Sequence, residues 1–593
     1  MTLFFSILIS FISIRGFRFK VTENGLELRN TQSFIWLLLL LAFTYVIYKS
    51  LQDKDKRLKI FAVLFGLIVS IFYILGVSME KMKGLGWIWS EREVLFDVLN
   101  LFFSHCCLYF CAAYLGLKRL AKSKAFSAPA GSAHSFSFKW VILFWVVLTI
   151  LYLPWYLTNY PGIVTPDTAD QINDAITLDG IRDHHSAFLT LMARIVILPV
   201  RGFSGSLQTA VGIVTLLQML IVTFVFAITL EWIGRHLQNR VFRIFVFLWY
   251  AFYPVYAVYS VTLWKDILFS VCFLGLMLCL DSAAEDENSF FGSRRKKLML
   301  LLTLTLLSLM RHNGILISII VGGTLFFRFR DHRKEAAMIL GGFVLLFGLW
   351  KLVLLPALNV TEISSSQGLS VFEQQMARAM NEHYDEITDE QMKHYTAYFD
   401  IEDLWTRYNP VLSDSVKRHF REDLFEADPV GFFRTWAGLG MRYPLSYIEA
   451  FLANNYGYWF TETHYWVISS GVEKIDWDIE DVHAAPILNI SAINRISDYI
   501  REEKYLKTPL LPLLFSRGAC WWLWLFCGVW CLCQNRKKFV LFLPGLCLWM
   551  SVLISPVYNE YRYVYGLFIG LPLLLSSIFG RQNTRIRSEI IIR

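Results

Sequence analysis

Residues 60–79 read IFAVLFGLIVSIFYILGVSM, twenty residues without a charge. A bilayer core of ~30 Å takes about 20 apolar residues of helix, so this stretch by itself predicts a membrane span. Comparable apolar runs begin near residues 2, 32, 58, 95, 138, 207, 241, 262, 297, 313, 335, 513, 538 and 561. The expectation is an all-α polytopic membrane protein with about 13–14 transmembrane helices.

Composition points the same way. Of 593 residues, 55% are hydrophobic and 18% charged, where soluble domains are about a quarter charged. The 49 Phe, 27 Tyr and 20 Trp suit a chain with aromatic belts at two water–lipid interfaces. The net charge of +8 needs no nucleic acid, because basic residues hold cytoplasmic loops in place. Ten cysteines, among them Cys106, Cys107, Cys111, Cys272, Cys279, Cys527 and Cys547, lie in or beside apolar runs. That placement argues for apolar packing and against a zinc site or disulfide framework.

The basic residues cluster between spans. Lys54, Lys56, Arg57 and Lys59 form one group, and Lys118, Arg119, Lys122 and Lys124 another. Further groups are Arg235, Arg240 and Arg243; 294–297; Arg328, Arg330, Arg333 and Lys334; 536–538; and Arg581, Arg585 and Arg587. With fourteen spans all of these fall on one face, which the positive-inside rule makes cytoplasmic. Arg15, Arg18 and Lys20 fall on the other, so residues 2–15 read as a signal-anchor, an interfacial helix or a span. The chain then divides into N-terminal transmembrane helices (1–125), a transmembrane core (138–356) with a first external loop at 159–206, an extracytoplasmic, mainly α-helical insert (357–512) and C-terminal transmembrane helices (513–593). The Ser/Ala/Gly stretch at 126–136 reads as a linker.

Four constellations sit on the external face. The first loop carries Asn159-Tyr-Pro-Gly-Ile-Val-Thr-Pro-Asp167-Thr-Ala-Asp170-Gln, then Asp183-His184-His185. Asp167 reads either as a helix N-cap or as a general base that takes a proton from an acceptor hydroxyl. His184 and His185 are loop residues at the interface or contacts to a phosphate or sugar hydroxyl. In Thr262-Leu-Trp264-Lys265-Asp266, Lys265 either snorkels to the interface beside a neutralising Asp266 or binds phosphate with Asp266 holding it. Arg311, in Met310-Arg311-His312-Asn313-Gly314, stands between two apolar runs, where a charge is expensive and marks function; Arg grips two phosphate oxygens at once. Finally, Pro556-Val-Tyr558-Asn559-Glu560-Tyr561-Arg562-Tyr563 puts Glu560 and Arg562 into one short turn, as a structural ion pair or as part of a site. Together these supply a base and a cationic cradle for an anionic leaving group.

At these residues the sequence resembles the GT-C type of multi-spanning glycosyltransferases that use lipid-phosphate sugars, and is similar in particular to an uncharacterised bacterial branch of that group. The shared elements are the Tyr-Pro-Gly…Asp-Thr…Gln loop, the Asp-His-His segment, the Trp-Lys-Asp turn and the Asn-Glu-Tyr-Arg-Tyr turn, over roughly residues 138–593. The resemblance implies a GT-C-like fold, with Asp167 as catalytic base and Asp170 beside it. It places His185 at a His-Pro-Pro type element whose prolines are missing here. It implies that Lys265, Arg311 and Arg562 bind the lipid phosphate. A divalent metal, Mg or Mn, is optional in such enzymes, and the Asp167/Asp170 spacing permits one. The implied function is inverting transfer of a sugar from a polyprenyl-phosphate donor to a cell-envelope glycan, lipid or protein, on the outer face of the cell membrane. The aromatic run at 456–466 is expected to present the acceptor by stacking on sugar faces. The alternative is a transporter or flippase of lipid-linked oligosaccharide, which would show charges along a midplane path and paired broken helices.

Overall fold

A computed structural model describes residues 1–28, 33–122, 136–177, 181–237, 239–361, 366–472, 482–554 and 559–579. The stretch at 60–79 lies within the helix Lys56–Met82, and among the described residues ten helices are long and apolar enough to cross a membrane. An eleventh is the pair Arg240–Phe252 and Pro254–Ser260, bent by 45° where Pro254 lacks an N–H to continue the helix. The protein is thus an all-α polytopic membrane protein, and among the described residues the one paired sheet is an antiparallel hairpin of Phe19–Thr22 and Gly25–Leu28. Large apolar side chains such as Leu37, Leu41, Ile60 and Leu64 face outward along the spans, as a lipid solvent requires. Helix starts are set by Asp55, Ser206, Asn239, Ser293 and Ser516, each accepting a backbone N–H of the first turn. All ten cysteines are free.

The count of about fourteen needs correction by this criterion. Thr2–Gly16 and Asn313–Arg328 are apolar but short, and Arg294–Met310 has 17 residues with a basic first turn. A 17-residue helix reaches only about 25 Å. Arg294–Met310, Asn313–Arg328 and Arg517–Gln534 nonetheless run between the same two ends of the bundle as their longer neighbours. Arg311 meets Asp266 at one end and His332 meets Asn288 at the other. Arg517 binds the Tyr465 and Trp466 carbonyls, while Leu532 accepts from Arg57.

Inside the expected external loop 159–206 lies a helix not foreseen, Ala187–Ser204, itself apolar enough to count among the ten. Both of its ends touch the same end of the bundle. Ser186 donates to the Leu309 carbonyl, and Ile197 packs with Val164, Ile172, Leu207 and Val211. The helix therefore runs along that end, with Met192, Ile195, Leu198 and Phe203 exposed, the pattern of an interfacial helix.

Within the insert, Ser366–Glu382, Asp389–Tyr395, Pro429–Arg442 and neighbouring short helices enclose their own apolar cluster, including Met376, Met380, Leu404, Phe432 and Leu439. The aromatic run behaves differently from expectation. Tyr456, Tyr458, Trp459 and Phe460 are buried in the main transmembrane core, where Trp522 donates to the Trp459 carbonyl and Trp549 to that of Tyr458. Rings so enclosed offer no face to a sugar; of the rings in this stretch, His464 is exposed and Tyr465 and Trp466 are partly exposed. The 126–136 linker, but for residue 136, and Arg581, Arg585 and Arg587 lie outside the described residues.

Candidate functional site

The first-loop motif is sewn to the Trp-Lys-Asp turn by its backbone. Ile163 N–H donates to the Val261 carbonyl (2.9 Å) and the Ile163 carbonyl accepts from Leu263 N–H (3.3 Å), while Val164 N–H donates to the Gly471 carbonyl (3.1 Å). Gly162 sits at φ +144, with Thr215 so close that a Cβ would lie 2.4 Å from its Oγ1; only glycine fits this turn. Gln218, a buried amide in the apolar stretch of the long helix Leu207–His236, donates to the carbonyls of Ser260 (3.1 Å) and Thr262 (2.7 Å).

Pro166–Ile176 follows as a helix with Thr165, not Asp167, at its N-cap. The N-cap reading of Asp167 thus fails by two positions. Thr165 Oγ1 is occupied by Trp264 Nε1 (2.7 Å), and the Thr168 hydroxyl donates to the Leu263 carbonyl (2.7 Å). Asp167, free of capping duty, pairs with Arg562 Nη1. The Arg562 guanidinium also gives its Nε–H to Glu560 and lies 5.0 Å over both the Trp264 and Tyr563 rings. Arg311 meets Asp266 at 2.6 Å and covers the other side of the group at 4.7 Å from the Tyr563 ring. Asp266 therefore serves Arg311 as its close partner, a pairing across 45 residues of chain that the sequence reading assigned to Lys265. Lys265 stands within the electrostatic reach of Asp167, Asp266, Arg311 and Arg562.

Asp170, one helical turn from Asp167, lies 3.6 Å from His185 Nε2 and 3.8 Å from Arg182. Gln171 donates to the His185 carbonyl, fixing that segment against the helix. Asp183 is structural: it binds Lys351 at 2.7 Å, caps Ala187 N–H, and its carbonyl meets His312 Nε2 at 3.0 Å. The side chain of His184, and Pro556 to Tyr558, lie outside the described residues. Predicted residues Asp167, Asp170, His185, Lys265, Arg311, Glu560 and Arg562 thus converge. Trp264, Thr165, Thr168 and Tyr563 were missed, although all adjoin predicted residues. Lys351 and Gln218 left a usable signal, as polar side chains inside apolar runs.

Electrostatically the cluster is balanced but not saturated. Burial works to raise the Asp167 carboxyl, yet Arg562, backed by His185 and Lys265, overrides it and holds the group below the ordinary carboxylate value. Burial pushes Asp170 up, against the pull of Arg182, and pushes Glu560 up, against Arg562. Asp167 keeps 42% of its side chain exposed while Arg562 keeps 11% and Asp266 1%, so Asp167 is the most accessible acid of the cluster. Arg311 Nη1 and Asp266 Oδ1 are in ion-pair contact at 2.6 Å, but neither they nor the second Asp266 oxygen and Asp170 Oδ1 make an aligned hydrogen bond. Among the described residues no three His, Cys, Asp or Glu side chains gather to hold a metal ion.

No curated protein and no solved structure matches the chain. A family model described as a family of unknown function, DUF6020, matches residues 176–590. The match takes in His185, Lys265, Arg311, Glu560 and Arg562, and begins after Asp167 and Asp170. Since it spans well over half of the sequence, the chain belongs to the DUF6020 family.

Proposed function

We propose that the protein is an inverting membrane glycosyltransferase that moves a sugar from a polyprenyl-phosphate donor to an envelope glycan, lipid or protein on the outer face of the cell membrane. One observation carries this reading: four segments far apart in sequence bring one accessible carboxylate, Asp167, against three cations, Lys265, Arg311 and Arg562. The resemblance to GT-C enzymes supplies the donor class. The proposed membrane orientation agrees with the basic clusters, several of which gather at the end of the bundle opposite this site, as Lys538, Arg235 and His236 do around Asp281, Glu231 and Glu285.

In the resting arrangement Arg562 holds Asp167. A donor phosphate that takes the Arg562 N–H groups displaces the carboxylate and turns it toward the acceptor. Asp167 then removes the proton of the acceptor hydroxyl as its oxygen bonds to the anomeric carbon. The bond from that carbon to the phosphate oxygen breaks, its electron pair leaves with the polyprenyl phosphate, and Lys265, Arg311 and Arg562 hold the developing charge. Glu560, pushed toward its neutral form, opposes the incoming phosphate least.

Proteoliposomes of wild type and Asp167→Asn, supplied with labelled polyprenyl-phosphate sugars and an envelope extract, test this. Transfer by wild type that falls about 10²–10⁴-fold in the variant, with donor lipid still bound, supports the base. Absence of transfer, with lipid-linked oligosaccharide crossing the bilayer instead, replaces the enzyme by the flippase.

A further inference from the structure

A second chamber stands away from the charged cluster. It measures about 590 Å³, within the ~300–1,000 Å³ range of small-molecule sites. One wall is the segment Met82–Trp87 that ends the span Lys56–Met82; the other is the insert, at 378–383 and 442–449. The floor is a buried clamp. Arg378 binds Glu449 at 2.6 Å and Glu382 at 2.7 Å and donates to the Lys83 carbonyl, while Glu449 accepts from Leu85 N–H. A Cβ on Gly84 would stand 3.2 Å from both Glu449 oxygens, so glycine lets the loop settle on the clamp.

The clamp joins the two walls but leaves the space above it open. Lys83, Glu382 and Arg442 line that space and are exposed, with Trp87 and His383 half-buried beside them and Ser446 behind. Three cations, Lys83, Arg378 and Arg442, face two carboxylates, Glu382 and Glu449, so the lining carries one net positive charge, and His383 beside it is paired with Glu386 at 3.1 Å. Donors, acceptors and an aromatic ring alternate around it. A ring with a C–H face suits Trp87; Arg442, which already donates to the Glu386 carbonyl and Gln391 Oε1, and Lys83, which donates to the Glu80 carbonyl, keep further N–H groups for one anionic group, and the second Glu382 oxygen is left for a hydroxyl.

We infer that this chamber binds an acidic saccharide, a hydroxyl-rich sugar chain bearing an anionic group, between the Met82–Trp87 loop and the insert. The wall at 82–87 lies outside the matched residues 176–590, so the N-terminal helices add a binding surface to the matched core. The inference does not depend on the transferase reading.

The test is calorimetric titration of the full chain in phosphatidylcholine nanodiscs. Trigalacturonate is the acidic probe and maltotriose the neutral one. Saturable binding of trigalacturonate is expected, with maltotriose weaker by about tenfold or more, as loss of one charged hydrogen bond implies. Arg442→Gln and Trp87→Leu, both away from the clamp and checked for unchanged melting, should each weaken it by a similar factor. Asp167→Asn should bind as wild type, which separates this chamber from the charged site. Equal binding of the two sugars, unchanged binding in both wall variants, or no saturable binding overturns the assignment. Loss of binding when phosphatidylglycerol replaces phosphatidylcholine overturns it too, by making a lipid headgroup the occupant.

Discussion

The helix Lys265–Glu285 carries a buried charge cluster at each end, and the two are built differently. At its far end Asp281 accepts from Lys538 Nζ (2.7 Å), Trp232 Nε1 (2.8 Å) and Ser577 Oγ (2.7 Å), and Glu285 meets His236 at 2.7 Å. No Asp281 oxygen is left without a partner. At its near end Asp266 is just as buried, yet neither of its oxygens makes an aligned hydrogen bond, and Arg311 Nη1 and Asp170 Oδ1 share that state. About 30 Å of helix separates the two ends. Burying a charge is tolerable when its hydrogen bonds are complete. The far cluster meets that condition and ties four spans together, with Lys538, Trp232 and Ser577 each on a different one from Asp281. The near cluster does not: its Asp266–Arg311 pair is close, at 2.6 Å, but poorly aligned, and it lies beside Asp167, the most exposed acid of the group.

Substitutions can break this contrast. Lys538→Met strands Asp281 and should destabilise the protein by about 3–5 kcal/mol, read as loss of folded protein in thermal melts. Adding Asp281→Leu should recover most of it, since a pair replaced by apolar side chains is close to neutral. If the double variant stays as unstable as the single, the far cluster is more than a joint. Arg562→Gln also takes the partner from a buried carboxylate, Glu560, and should cost stability of the same order, but unlike Lys538→Met it should also lower kcat/KM for transfer by the folded protein by about 10²–10³-fold, the usual effect of removing one preorganised donor. A large melting change with ordinary activity would erase the distinction between the clusters.

A pH profile sharpens the contrast further. Asp167 is held below the usual carboxylate value, so its charged form persists as pH falls and is lost only as pH drops through that lowered value. The acid limb of kcat/KM should therefore lie below the ordinary Asp value of about 3.9, and it should move upward in Arg562→Gln. An acid limb that stays in place would mean that Arg562 does not set the Asp167 titration. The smallest effect is expected at Lys351→Met. Its partner Asp183 keeps the Ala187 N–H bond, so a modest loss of stability of about 1 kcal/mol should leave transfer unchanged.

Particular residues show how far the sequence could be read. Asp167, Lys265, Arg311, Glu560 and Arg562 were legible because charges at the edges of apolar runs are costly and persist for a reason. Their partners were not. Asp266 follows Lys265 in the chain, but its Arg311 contact depends on how the Lys265–Glu285 helix lies against the 310–313 turn. Tyr458 and Trp459 looked like a binding platform because aromatic composition is the same in a core and on a surface. Ala187–Ser204 looked like loop because its length and hydropathy are near the limit of a span.

The sequence by itself determined the class of the protein. Charge-free runs of about 20 residues cannot remain in water, and in lipid the backbone can satisfy itself only as helix. It also determined which charged residues were expensive enough to need an explanation. Only the tertiary structure decided which of those charges face one another, because an ion pair is set by the angle and offset at which helices pack, and no local rule of the chain encodes that angle.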